Sequence, residues 1–224
     1  MKQYNGEKAI ISLTSWKARI KTVSKTIYSL IQKCPGFHIV LVLSEEEFPQ
    51  KEAELPDDLM LFVDSDLIEI LWVYKNYKSF KKVLFTMDKY RDVPVISADD
   101  DCIYTCNYAE ALYNIWEQNK TCCVSTNVYR KYGYIWTNGQ CTLYRPYCFL
   151  QHGLNNIDLV FKFGSNDDAF ISSLYKKLKI ECKCLNKKVL FFHTNVKALS
   201  PNGNGTGYNA KNDISKFYKN LKIV

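Results

Sequence analysis

The strongest constraint on the fold of this chain lies in its first hundred residues, where short apolar runs alternate with stretches of helical periodicity. "AIISLTSW" from Ala9, "FHIVLVLS" after Gly36, "LIEILWVY" from Leu67 and "VPVIS" from Val93 are rich in Ile, Leu and Val, as buried strands are. Between them, "TVSKTIYSLIQKC" sets Val23, Ile27, Leu30 and Ile31 at helical spacing, and "SFKKVLFTMDKY" does the same with Phe80, Val83, Leu84 and Met87. Strand and helix in alternation call for right-handed βαβ units and a mainly parallel sheet. Ligands of such sheets bind beyond the carboxyl ends of the strands. Thr14 and Ser15, after the first run, and Asp99, Asp100 and Asp101 of "ISADDDCIY", after the fourth, are therefore expected on one rim. Ser44 with Glu47 three residues on fits the cap of a short helix.

The second half is less regular. "AEALYNIWEQ" and "DDAFISSLYKKL" read as helices, "CCVSTNVYR", "QCTLYRPYCF" and "KVLFFHT" as extended, and the Gly/Asn-rich stretch from Ser200 to Asp213 as a loop ahead of a C-terminal helix. With 224 residues, no linker and no repeat, one α/β domain is expected over 1–224, its central sheet flanked by helices and joined to a smaller antiparallel portion.

No apolar stretch reaches the roughly 18 residues of a membrane span. The start, "MKQYNGEKAII", lacks the apolar core of a secretory signal, so a cytoplasmic location is expected. Nine cysteines, several inside apolar segments, fit packed thiols better than a disulfide framework. Cys182 and Cys184 have no second ligand pair at zinc spacing. The net charge of +7 favours an anionic partner. No signature of a nucleic-acid-binding module accompanies it, so nucleic acid is not expected as a partner.

Three carboxylates in a row usually mean a solvated turn. Here they stand between an Ile/Val strand and apolar Ile103 and Tyr104, with core-forming segments on both sides. Their mutual repulsion needs a cation or basic neighbours to offset it, and carboxylate oxygens together with phosphate oxygens suit Mg²⁺ or Mn²⁺.

The order of "IISLTSWKARI", "SFKKVL" on a helix and "ISADDDCIY" at a strand end resembles the GT-A class of nucleotide-sugar glycosyltransferases, whose DxD motif occupies such a strand terminus. Within that class the likeness is to bacterial family 2-like enzymes of capsule or lipopolysaccharide synthesis. The resemblance implies a nucleotide-sugar-binding half over 1–106 and an acceptor-binding and catalytic half over 107–199, with the 200–224 tail able to close over the donor. It implies Asp101 as ligand of a divalent cation (Mn²⁺ or Mg²⁺), and Asp100 or Asp99 on the ribose or a metal-bound water. Thr14, Ser15 and Arg19 would line the nucleotide pocket with Lys81, although a solvated basic side chain explains Arg19 as well and Lys81 better.

Asp167 and Asp168 open a helix in "GSNDDAFISSL", where acids suit the helix N-terminus without further cause. By the resemblance Asp168 would be the general base of an inverting transfer, with Asp167 the alternative. His193 would be a further metal ligand, whereas His38 and His152 read as structural. In "YRKYGYIWTNGQ", Tyr134 and Trp136 are candidates to meet an acceptor sugar.

The implied activity is hexosyl or related glycosyl transfer from a UDP- or GDP-linked sugar to a glycan or lipid-linked acceptor. It could take place in peripheral association with the inner membrane. A sugar nucleotidyltransferase is the nearest enzyme alternative, but "SLTSWKARI" lacks the glycine-rich loop expected there. A non-catalytic carbohydrate or nucleic-acid-binding module is the alternative of a different class.

Overall fold

Along the chain, a computed structural model places β1 (Ile10–Thr14), α1 (Val23–Lys33), β2 (His38–Ser44), α2 (Asp57–Asp64), β3 (Glu69–Val73), α3 (Lys81–Lys89), β4 (Val95–Ser97), β5 (Cys102–Tyr104), α4 (Tyr108–Gln118) and β6 (Cys123–Ser125). There follow β7 (Val128–Lys131), β8 (Tyr134–Thr137), β9 (Thr142–Tyr144), α5 (Leu150–Asn155), α6 (Leu159–Phe163), α7 (Asp167–Lys177), β10 (Cys182–Cys184), β11 (Phe191–His193) and α8 (Ala210–Asn220). The structure describes residues 3–137, 139–163, 166–185, 189, 191–193 and 210–223.

Seven strands form the central sheet in the order β10-β6-β9-β4-β1-β2-β3. Every neighbouring pair is parallel except those made by β9, which runs against both β4 and β6. The period-2 alternation of the strands divides the core. Ile11, Leu13, Ile39, Leu41 and Ile96 face the apolar side of α1, α2 and α4. On the other face, Val95, Cys123 and Tyr144 pack with α3, α6, α7 and α8, and the Ser12 hydroxyl meets Thr86 of α3 at 2.7 Å. Helices thus cover both faces, as the continuous apolar character of β1 and β2 requires. Two small antiparallel ladders complete the fold: the β7–β8 hairpin and the pairing of β11 with β5.

The mainly parallel α/β sheet with a smaller antiparallel portion is thereby found. Two local expectations are corrected, and one helix is added. Ser44 and Glu47 cap no helix: the chain turns there, the Ser44 hydroxyl donates to Glu47 Oε2 at 2.9 Å, and Glu47 turns to Lys81 instead. The sequence predicts no helix between β2 and β3 beyond that cap, yet α2 forms there, with Pro56 at its N-cap and Asp57 and Asp58 in its first turn. Residues 200–209 of the Gly/Asn-rich stretch lie outside the described residues, and Ala210–Asp213 already belong to α8. Among the described residues no helix is long and apolar enough to cross a membrane.

His38 and Glu69, at the amino ends of β2 and β3, are buried together, with His38 Nε2 2.8 Å from Glu69 Oε2. Tyr90 and Lys89 also donate to Glu69. This polar anchor sits at the opposite end of the strands from the acidic triplet, which suits the structural reading of His38.

Candidate active site

Strand order reverses at β1: β2 and β3 lie on one side of it and β4 on the other. At such a switch point the loops after two neighbouring strands diverge and leave a crevice beyond their carboxyl ends. Ser15 follows β1 and the triplet follows β4, so both groups open into this crevice.

The triplet is a turn between β4 and β5, but a pinned one whose middle residue is buried. Asp100 accepts from the Ser15 hydroxyl at 2.6 Å and lies 3.2 Å from Arg19 Nη1, while its backbone carbonyl accepts from Thr26 at 2.9 Å. Only 4% of Asp100 is exposed, and burial pushes its pKa up to about 6 despite Arg19 and Ser15. Asp101 turns Oδ2 to Arg19 Nη1 at 2.6 Å. The guanidinium of Arg19 thus sits on two of the three acids, and its Nε, also buried, has no hydrogen-bond partner among the described residues. Asp99 turns away from both and meets Lys82 Nζ at 2.5 Å.

Lys82 ties the two acidic sets together. Its side chain is 5% exposed, and its ammonium stands 3.9 Å from Asp167 Oδ2. Burial opposes the charge, but Asp99 and Asp167 outweigh it and hold the pKa above the ordinary lysine value. Asp167 and Asp168 open α7 behind Asn166, whose side chain accepts from the Ala169 amide at 3.0 Å as an N-cap. Burial, and then the neighbouring Asp167 charge, push Asp168 up to about 8; burial likewise raises Asp167 against the pull of Lys82. Gly139 lies so close that a Cβ there would stand 2.8 Å from Asp168 Oδ1.

His193 is brought to the triplet by the β5–β11 ladder, where it pairs directly with Cys102. Asp101 Oδ1, Cys102 Sγ and His193 Nδ1 form a triangle with edges of 3.7, 3.6 and 3.8 Å. These carboxylate, thiol and imidazole donors, within 4.8 Å of one another, fit a divalent cation.

The other expected residues stand less directly in the crevice. The Thr14 hydroxyl donates to the Val42 carbonyl at 2.7 Å and so serves the β1–β2 edge. Lys81 is buried against Glu47 at 3.2 Å and Asn76 Oδ1 at 3.0 Å, and desolvation lowers its pKa. Tyr134 and Trp136 do not present open faces, being 9% and 4% exposed. Tyr134 packs edge-on to Tyr218, and Trp136 lies beneath Tyr129 with centroids 6.2 Å apart. Tyr129 and Tyr132 are the open rings of this hairpin, each 46% exposed, and Tyr129 is close enough to feel the Asp168 charge.

Two residues were not singled out in the sequence. Lys82 adjoins Lys81 on the same helix, and only the acids across the crevice distinguish them. Cys102 reads as one more packed thiol until β11 is seen to pair with β5.

No protein-family model matches the chain, and no curated protein matches it in sequence. Among solved structures, one similar to it is the crystal structure of GalNAc-T7 with UDP, GalNAc and Mn²⁺, at 15% identity and a TM-score of 0.42. That alignment covers 55% of this chain and 23% of the other, so the chain spans about a quarter of its neighbour's length. At this identity and score the function rests on the site alone.

Proposed function

We propose that the chain is a metal-dependent GT-A glycosyltransferase, moving a hexosyl or related group from a UDP- or GDP-linked sugar to a glycan or lipid-linked acceptor, with inversion. The observation that carries this reading is the convergence, in the switch-point crevice, of a pinned acidic triplet and a second acidic pair, joined by buried Lys82. One set is suited to the donor's cation and ribose and the other to the acceptor's proton.

Asp101 and His193 would hold the divalent cation, Mn²⁺ or Mg²⁺, while Asp100, steadied by Ser15, faces the ribose. When bound, that cation supplies Lewis-acid neutralisation of charge on the diphosphate. Arg19 adds a fixed positive charge beside it, where preorganised electrostatics has its largest effect. Asp168, as carboxylate, accepts the acceptor hydroxyl proton. The oxygen then bonds to the anomeric carbon from the side opposite the breaking bond to the diphosphate, which inverts the configuration. The high proton affinity of Asp168 makes it a stronger base than an exposed carboxylate. Tyr129, backed by Trp136, offers the acceptor ring a flat surface.

The surplus positive charge favours work at the cytoplasmic face of the inner membrane, beside lipid-linked acceptors of surface-polysaccharide synthesis. Purified protein should release UDP or GDP from a matching sugar nucleotide only with a divalent cation present. Asp168→Asn should lower turnover at least 100-fold with donor affinity kept, and an Asp168→Asn enzyme of full activity would remove the assigned base.

A further inference from the structure

Cys102 stands where the proposed cation site needs no further oxygen donor, and it changes which cation fits. It is fully buried at the start of β5. His193 lies directly opposite it across an antiparallel pair, so both side chains stand on one face of the small sheet. Arg19 occupies Oδ2 of Asp101 and thereby leaves Oδ1 turned to the thiol and the imidazole. Such a neighbour fixes a ligand's orientation.

The three edges, 3.6 to 3.8 Å, are nearly equal. Ligands about 2.0 to 2.3 Å from a tetrahedral ion stand roughly 3.3 to 3.8 Å apart. Adjacent ligands of octahedral Mg²⁺, at about 2.1 Å, stand only about 3 Å apart. Sulfur is also a donor that Mg²⁺ avoids and Zn²⁺ or Co²⁺ accepts. His193 is 58% exposed on its side chain, which gives a cation a way in.

We infer that Asp101, Cys102 and His193 form a mixed oxygen, sulfur and nitrogen site for a borderline divalent cation of the Zn²⁺ or Co²⁺ class, selected over Mg²⁺ by the Cys102 sulfur. This rests on the reading of Asp101 and His193 as cation ligands. Coordination exchanges the thiol proton, which leaves to water, for the metal–sulfur bond. Three protein donors leave the fourth tetrahedral position for an oxygen of the donor diphosphate, as in open catalytic sites.

The test is titration of the chelator-stripped full chain with CoCl₂, without nucleotide, followed by absorption. The wild type should show a near-ultraviolet thiolate-to-cobalt band and the strong visible bands of four-coordinate cobalt, and a hundredfold excess of Mg²⁺ should not displace them. Cys102→Ser, with circular dichroism checked against wild type, should lose the ultraviolet band and bind Zn²⁺ at least ~10-fold more weakly. His193→Gln serves as a second variant and should weaken the visible bands. Cobalt bound with weak octahedral bands and no ultraviolet band, or displaced by Mg²⁺, would overturn the sulfur site while leaving an oxygen and nitrogen cation site standing. Failure of Co²⁺, Zn²⁺ and Mn²⁺ all to bind would overturn the sulfur site and the cation part of the proposed function together.

Discussion

Asp168 binds its proton far more tightly folded than unfolded, because burial and Asp167 disfavour its charge. The sign of the effect on stability follows directly. A carboxyl raised from 3.8 to about 8 favours the folded state fully at low pH, and that contribution is lost as pH rises through the interval. Asp168→Asn should therefore melt at a higher temperature than wild type at pH 9, with the gap closing by pH 4, while losing turnover. Equal melting curves across that range would show Asp168 to be solvated. Lys82 should behave in the opposite way: Lys82→Met leaves the partly buried Asp99 and Asp167 without their cation, and should cost about 1–3 kcal/mol in urea denaturation. A loss below about 1 kcal/mol would make Lys82 an ordinary surface charge.

At the scale of elements, α3, α7 and the β7–β8 hairpin position the acids. The turn that leaves the hairpin approaches Asp168 so closely at Gly139 that Gly139→Ala must displace the carboxylate. A shift of about half an ångström there should lower kcat on the order of 10-fold, with KM for the donor little changed. A proportional rise in that KM would place Gly139 in the donor pocket instead. The elements differ in how far the sequence exposes them. β1, β2, α1 and α3 were legible because each carries an uninterrupted apolar period. α2 was hidden by its eight residues and two prolines nearby. The pairing of β11 with β5 outside the main sheet is a long-range register, which three apolar or aromatic residues do not encode. Without that register Cys102 reads as core; likewise, without the β7–β8 register that sets Tyr129 opposite Trp136, Trp136 reads as a candidate sugar platform although Tyr129 covers it.

For the whole molecule, the strand order explains why residues 15, 19, 82, 99–101, 167, 168 and 193 meet at all: β1 and β4 are neighbours, and the turn after β4 faces the start of α7. That Ser15 and the triplet share a rim was readable from the βαβ alternation. That Lys82 bridges two acid sets was not, since charge partners are set by how helices dock. The most direct measurement of the central claim is the melting temperature of the full chain with UDP or GDP, each with and without Mn²⁺, in wild type and Asp101→Asn. Stabilisation by the nucleotide should require the cation and vanish in Asp101→Asn, whose own melting stays near wild type. Stabilisation indifferent to the cation, retained by Asp101→Asn, or produced by an oligonucleotide alone would contradict the account.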